Sequence, residues 1–420
     1  MSDRDVVITG VGVVSPIGIG CDAYWKSMVE QRSGVRELQA FDPSTSQCKI
    51  AGEVLDFEPK KYIRPRKSLK VMSRDIQLGF AAADMAVTSS GLIPEDVDPE
   101  KKGVIFGADM IYTDVDALHD AYRSCLVDGK FDFSLWGTHA IANMHPLWML
   151  KYLPNMTACH IGIFQDARGP NNSITIGDTS SLQALFEAVH VIQRAKIDVV
   201  ISGGASSPIN PTVHDFRGRG RFTRGDGDPT TFPRPFDRER DGTLLSEGAA
   251  SFVLESREHA VSRGATILAQ IASCSSCFEP IKSGTPPRGT AIRMGIKTAL
   301  EKAGLQPDDI DHVNAHGIAT VEDDRVEAEA IAELLGEVPV IAPKSYFGNL
   351  GAGGGAVEMV ASLLALNKGV LPASLNYKHP DPECPVNVIH SDTRRLDKKA
   401  ALLLNQDRNG QAVATIITTS

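Results

Sequence analysis

Short apolar runs rich in β-branched residues recur along the whole chain, with helix-spaced segments between them. "DVVITGVGVV" opens the series, and "DVVISGGAS", "ASFVLES", "HVNAHG", "PVIAPKS", "ALLLN" and "AVATIITT" continue it. Strands apolar on both sides must be covered on both faces, so strand-helix alternation of this kind predicts an α/β protein. Leu182, Leu185, Val189 and Ile192 recur three to four apart within Thr179 to Lys196, and Val326, Ala330, Ile331 and Leu334 do so after Asp324. Both spacings predict amphipathic helices. With 420 residues, 42% of them hydrophobic, the chain has material for two ordinary domains or one large double one. The stretch "RGRGRFTRGDGDPTTFPRPFDRERDG", Arg217 to Gly242, is too charged for a core and is punctuated by glycine and proline. The strand-helix pattern repeats loosely on either side of it, which divides the chain into halves at 1–250 and 251–420.

A formal net charge of −9 argues against nucleic acid or an anionic membrane surface as partner. No stretch reaches the ~18 uninterrupted apolar residues of a membrane span, and "MSDRDVVITG" lacks the layout of a signal peptide, so a cytoplasmic protein is expected. Seven scattered cysteines suit reduced thiols better than a disulfide framework. Cys274 and Cys277 form a CxxC without a second pair or nearby histidines, and no metal or cofactor is expected. They read as small residues buried in a strand.

"NNSITIGDTSSLQALFEAVHVI", Asn171 to Ile192, reads as a buried strand turning sharply into a helix. Enzymes mount nucleophiles at such corners, yet Asp178 stands there. Aspartate is among the best helix N-cap residues, worth ~0.5–2 kcal/mol over alanine, and capping is its simplest role.

Together, "VVITGVGVVSPIG", "FDPSTSQCKIAGEV", "RGPNNSITI", "DVVISGGAS", "RPFDRERDGTLLSEGAASFVLE", "VNAHGIAT" and "KSYFGNLGAGGGAVE" resemble the elongating β-ketoacyl-carrier-protein synthases of the thiolase superfamily, in that family's order and over essentially the whole chain. The resemblance implies a thiolase-like fold, five-layered α/β/α/β/α from two similar halves, a tight dimer, and acyl carrier protein as partner. It puts Asp178 at the family's nucleophilic cysteine, His316 at the first of two catalytic histidines and Asn349 at the second. Lys344 falls at a lysine beside the first histidine, with Asp324 and Glu327 as an acidic pair next to it, while Glu358 and Glu247 fall at further acidic positions read as structural. Asp407 replaces the phenylalanine of a gating loop and Arg408 one of its glycines, leaving Gly410. Arg66, Lys67 and Lys70 match the region through which family members dock carrier proteins, on one helical face.

Holding an acyl chain as a thioester requires a thiolate, favoured at a helix N-terminus by the dipole and free N–H groups. A carboxylate would form a high-energy mixed anhydride instead. Cys159 lies some twenty residues upstream of the corner, in a different motif, and does not substitute. An amide at 349 can donate to an oxyanion but cannot carry positive charge. Cysteine, second histidine and gate are all altered, so the expected function is that of a non-condensing partner of an active ketosynthase, in a heterodimer or as a homodimer. It would resemble the chain-length factors of polyketide systems, although their typical residue at position 178 is glutamine. The alternative is a malonyl-carrier-protein decarboxylase, or another carrier-dependent acyltransferase needing no covalent acyl-enzyme.

Overall fold

The computed structural model describes residues 4–44, 46–217, 221–281 and 288–419. Part of the Arg217 to Gly242 stretch lies outside them.

Among the described residues eleven strands make one continuous path in the sheet, and ten of them form two sets of five. In chain order they are β1 (Val6–Ser15), β2 (Lys102–Gly107), β3 (Asn171–Ile174), β4 (Val199–Ser206) and β5 (Gly248–Ser256), then β6 (Ala269–Phe278), β7 (Ile310–Asn314), β8 (Pro339–Ile341), β9 (Ala400–Gln406) and β10 (Gln411–Thr418). Their spatial order is β8-β7-β9-β10-β6-β1-β5-β4-β2-β3, with the short strand Asn387–Val388 added beyond β8. Each set of five follows the same rule. The first strand pairs antiparallel with the fifth, the fifth antiparallel with the fourth, and the fourth, second and third run parallel. Among the described residues the strands of the two sets pair directly where Val7 and Ile8 of β1 meet Gln270 and Ala269 of β6. The topological repeat therefore turns over between Ser256 and Ala269, a little beyond the expected division at residue 250.

Three large cores among the described residues hold five layers together, the middle one filling both sides of the central helices. Helices α1 (Arg74–Ser90) and α2 (Met156–Phe164) cover the outer face of the first sheet. Helices α3 (Ser180–Gln193) and α6 (Gly354–Lys368) lie between the sheets and touch strands of both. Helices α4 (Thr290–Ala303) and α5 (Val321–Leu335) cover the outer face of the second. The predicted helical spacings lie within α3 and α5. Leu182, Leu185 and Ile192 are fully buried in the middle core, and each such side chain contributes about 1.5–3 kcal/mol. Strand β1 is buried along all ten residues because α1 lies tight against one face. A Cβ on Gly12 would come 2.1 Å from the Ala82 carbonyl oxygen, so glycine sets that approach.

One strand departs from expectation. β3, the strand leading to Asp178, is the edge of its sheet rather than a buried strand, with Asn171 and Asn172 exposed and Ser173 and Ile174 half-buried. Between β2 and β3 the large apolar side chains Phe133, Ile141, Met149 and Ile163 are exposed. Of the CxxC pair in β6, Cys274 is buried and Cys277 only partly so. No helix among the described residues is long and apolar enough to cross a membrane.

Candidate active site

Strand β3 reaches α3 through a tight turn in which Gly177 adopts φ +64°. Hydroxyls hold this turn: Ile176 N–H donates to Ser180 Oγ at 2.9 Å, Ser180 Oγ–H to the Gly177 carbonyl at 2.6 Å, and Thr179 Oγ1–H to the Ile176 carbonyl at 3.0 Å. Asp178 does not cap the helix as its residue type suggested. The cap position falls on Thr179, and the Asp178 carboxylate turns away from the helix to accept from Asn349 Nδ2 at 3.1 Å.

Asp178 comes from the first half of the chain, and the Asn349, His316, Lys344 and Asp407 groups around it come from the second. Asn349 follows the short helix Lys344–Phe347, and its Oδ1 accepts from Gly351 N–H at 3.1 Å. That bond orients the amide so that Nδ2 faces Asp178. His316 follows β7 and places Nε2 3.9 Å from Asp178 Oδ2, too far for a hydrogen bond. Behind it, Lys344 Nζ donates to the His316 carbonyl at 2.8 Å and meets His316 Nδ1 at 3.1 Å. An ammonium can only donate, so Nδ1 is the acceptor and the imidazole proton sits on Nε2, aimed at the cavity. Burial, reinforced by the Lys344 ammonium and the Arg221 guanidinium, holds His316 well below the usual histidine range, hence neutral.

The carboxylate that pairs with Lys344 is Glu358, at 2.6 Å with both side chains buried. The expected acidic pair does other work. Glu327 accepts the backbone N–H groups of His316 and Gly317 at 2.7 and 2.9 Å, fixing the loop that carries the histidine. Asp324 accepts from Phe236 and Ala319 N–H at 2.8 and 2.9 Å and faces Arg240 at 4.0 Å. Burial pushes Glu327 up to about 8 and Asp324 up to about 7. Glu247 is a tie away from Asp178, accepting from Arg74, Val54 N–H and Ser207 Oγ.

The gate-loop positions form a tight hairpin turn between β9 and β10, closed by Asp407 N–H to the Gln411 carbonyl at 2.8 Å and Gly410 N–H to the Asp407 carbonyl at 2.9 Å. Asp407 lodges against the turn at Gly177, where an added Cβ would sit 2.0 Å from its Oδ2. The same oxygen accepts the backbone N–H of Asp178 at 3.4 Å. Arg408 is exposed. Arg66, Lys67 and Lys70 are also exposed, on the 3-10 helix Arg66–Val71, in which Lys67 and Lys70 share an edge and Arg66 points elsewhere.

Asp178 stands where two cavities meet, one of about 440 Å³ on the His316 side and one of about 480 Å³ on the Asn349 side. Both are also lined by Arg221, Ile318, Asp407 and Arg408, and neither by a cysteine among the described residues. Cys159 sits on α2, away from both. A third cavity of about 390 Å³ shares Asp109, Met110 and Pro208 with the second and carries Asp75 and Glu247 in its wall. Sequence reasoning missed Arg221, which ion-pairs with Asp323, and Asp109. The available signals were an arginine inside a glycine-rich stretch and an acid closing the apolar run "KGVIFGAD".

Burial, then the facing Asp407 carboxylate, pushes Asp178 from the ordinary 3.8 up to about 6, against the pull of Lys344 and the Asn349 bond. The folded protein therefore holds this proton more tightly than the unfolded chain does. The resulting stability is fully present below about 3.8 and is lost as pH rises through about 6, a difference of about 3 kcal/mol. Asp178→Asn keeps an acceptor for Asn349 without the charge. At pH 8 it should be more stable than the native protein by up to about 3 kcal/mol, with the gap closing toward pH 4. Denaturant melts at the two pH values measure this, and an equal gap at both would refute the assignment.

Repeated five-stranded halves sandwiching two shared helices, with the site at a strand-to-helix corner facing a histidine of the other half, define the thiolase-like architecture of condensing enzymes. The chain belongs to the β-ketoacyl synthase family: the models of the N-terminal and C-terminal β-ketoacyl synthase domains match residues 3–260 and 268–378. It is 32% identical to the tetracenomycin polyketide synthase ketoacyl synthase alpha subunit of Streptomyces glaucescens, over 99% of this chain and 97% of that one. It is 29% identical to 3-oxoacyl-[acyl-carrier-protein] synthase 2 of Synechocystis, over 96% and 95%. Among solved structures, the ishigamide ketosynthase/chain length factor superposes with a TM-score of 0.87 at 28% identity over the whole of both chains. A β-ketoacyl synthase from Burkholderia phymatum gives 0.88 at 25% identity, covering 99% of this chain and all of the other.

Proposed function

We propose that this chain is a non-condensing, chain-length-factor-like partner of an active ketosynthase, working on acyl chains held by an acyl carrier protein. The observation that carries the reading is the corner itself. A carboxylate stands where a thiol is needed, and the backbone N–H beside it, which could hold an acyl oxyanion, is occupied by Asp407. An acyl group moved from sulfur to oxygen would become an anhydride, so no level exchange with a thioester is open to Asp178. Asn349 supplies a donor without a charge, and charged Asp407 and Arg408 line the cavities where an apolar acyl chain would have to pass.

The framework for assembly is retained. The exposed edge strand β3 and the exposed Phe133, Ile141, Met149 and Ile163 in the segment before it supply the unpaired backbone and apolar surface that a second subunit covers. Arg66, Lys67 and Lys70 provide an exposed basic site for an acidic carrier protein, an attraction that salt would weaken. The similarity to the ishigamide ketosynthase/chain length factor, and to a ketosynthase solved in complex with its type II polyketide synthase acyl-carrier protein, supports both assignments. Co-expression with a ketosynthase carrying cysteine and both histidines tests the reading. The expected result is a stable one-to-one complex that elongates a carrier-bound chain, with this chain inert alone. Elongation by the chain alone would overturn it.

A second reading has one observation in its favour: His316 Nε2 and Asn349 Nδ2 converge as donors that could hold the enolate of a decarboxylated malonyl thioester. Asp178, Asp407 and Asp109 around the same space oppose it by repelling the malonyl carboxylate. Carbon dioxide released from malonyl-carrier protein above background would decide for it.

A further inference from the structure

Asp178 is no orphan of lost chemistry in its geometry. Its side chain is about one-fifth exposed, at the junction of two cavities large enough to take a thioester arm on one side and a short, polar 3-oxoacyl portion on the other. Two N–H donors face it from the opposite half of the chain. One, His316 Nε2–H, has its tautomer set by Lys344 and stands 3.9 Å from the carboxylate, free to take up a carbonyl oxygen. The other, Asn349 Nδ2–H, is held in orientation by Gly351 and can exchange its bond to Asp178 for one to the same oxygen, releasing the carboxylate. A carboxylate base opposite two neutral donors is the arrangement that enolises a carbonyl compound: the base takes the proton and the donors receive the charge.

We propose that Asp178 is a general base that reversibly removes the C2 proton of 3-oxoacyl thioesters whose carbonyl oxygen is held by His316 and Asn349. This goes beyond the partner-subunit reading and does not depend on it. The C2–H bond breaks, the proton passes to an Asp178 oxygen, and the bonding pair moves into the carbonyl, leaving an enolate whose oxygen lies between the two N–H groups. Return of the proton from Asp178 restores the ketone. Nothing is oxidised or reduced, no bond to the enzyme forms, and no co-reactant is needed. The flanking carbonyl of a 3-oxoacyl unit makes C2 acidic enough for a carboxylate, which a simple acyl thioester would not allow.

The charged surroundings suit the task. Asp407 and Asp109 face Asp178 and raise its proton affinity, while Lys344 behind His316 lowers it, and Arg221 and Arg408 stand in the same cavity walls. The balance leaves the carboxyl titrating at about 6, where it can both accept and return a proton near neutrality.

The test uses the purified full chain in D2O with racemic 2-methyl-3-oxobutanoyl-pantetheine, which has a single C2 proton, followed by NMR. The expected result is a chain-dependent phase of proton loss that consumes one enantiomer and leaves the other to the slow rate of buffer. Asp178→Asn should lower that phase by about 10²- to 10⁴-fold, in a protein whose stability at pH 8 is undiminished, so that misfolding is not the cause. The phase should rise with pH through about 6. Asp407→Asn should move the rise to lower pH, a shift that a merely structural role for Asp178 would not give. Exchange no faster than buffer, exchange undiminished in Asp178→Asn, or a pH profile unmoved in Asp407→Asn would each overturn the proposal. Complex formation with a ketosynthase is read separately by co-purification, so failure here and failure of the partner reading remain distinct.

Discussion

An Asp178→Cys protein is expected to take up an acyl group from an acyl-pantetheine donor, from which the native chain takes none. The corner is already built for sulfur: the first N–H groups of α3 and their dipole favour a thiolate, and His316 Nε2 lies 3.9 Å from the present carboxylate oxygen. Asp407 works against that thiolate, because its carboxylate takes the N–H of residue 178 and places like charge beside the sulfur. Removing it in Asp178→Cys/Asp407→Gly should speed acylation roughly tenfold, the effect of lowering the thiol by about one pKa unit. Intact-protein mass gives the answer directly as one added acyl group per chain. An adduct on the native chain, or none on either variant, would contradict this account of the corner. Neither variant should elongate, since Asn349 still replaces a group that could carry charge.

The second large effect concerns Lys344, whose ammonium ties together the His316 carbonyl, His316 Nδ1 and Glu358 in a space closed to water. Lys344→Ala should destabilise the protein by about 3–5 kcal/mol, because it leaves a buried carboxyl and a buried carbonyl without their partner. Lys344→Met combined with Glu358→Gln should recover most of that loss, since no charge then remains to be compensated. Denaturant melts of the three proteins measure both statements. An unshifted Lys344→Ala midpoint would show that the ion pair is not the keystone described. Burial and the Lys344 ammonium, in that order, hold His316 neutral, so the histidine of the single variant should also titrate at higher pH, followed by its ring-proton NMR signals.

Much of this was legible in the sequence because position along the chain carried it. Fully apolar strands, helical spacings and the corner at Asp178 follow from periodicity and turn residues, and the meeting of Asp178, His316 and Asn349 followed from motifs whose order was read as a family resemblance. Side-chain direction was not legible. Aspartate before a helix reads as a cap, but here the hydroxyls of Thr179 and Ser180 hold the turn and free the carboxylate to face the second half. The partner of Lys344 was not legible for a related reason: three buried acids, Asp324, Glu327 and Glu358, all fall near it in the motif pattern, and only geometry distinguishes the one that meets Nζ from those that take backbone N–H groups. The exposed edge at β3 did have a signal. Consecutive asparagines, Asn171 and Asn172, are poor residues for a strand covered on both faces, and "NNSI" fits the rim of a sheet.

The doubled sheet has one more consequence. Asp178 follows the third strand of the first repeat, whereas His316, Lys344, Asn349 and Asp407 all hang from strands and turns of the second, and the strands of the two repeats pair directly at two residue pairs between β1 and β6. A fragment ending at Ser256 would hold the Asp178 carboxylate without the His316 and Asn349 N–H groups that face it, and one beginning at Ala269 would hold those groups without the carboxylate. The site of this molecule therefore depends on the docking of its two repeats across the shared helices α3 and α6.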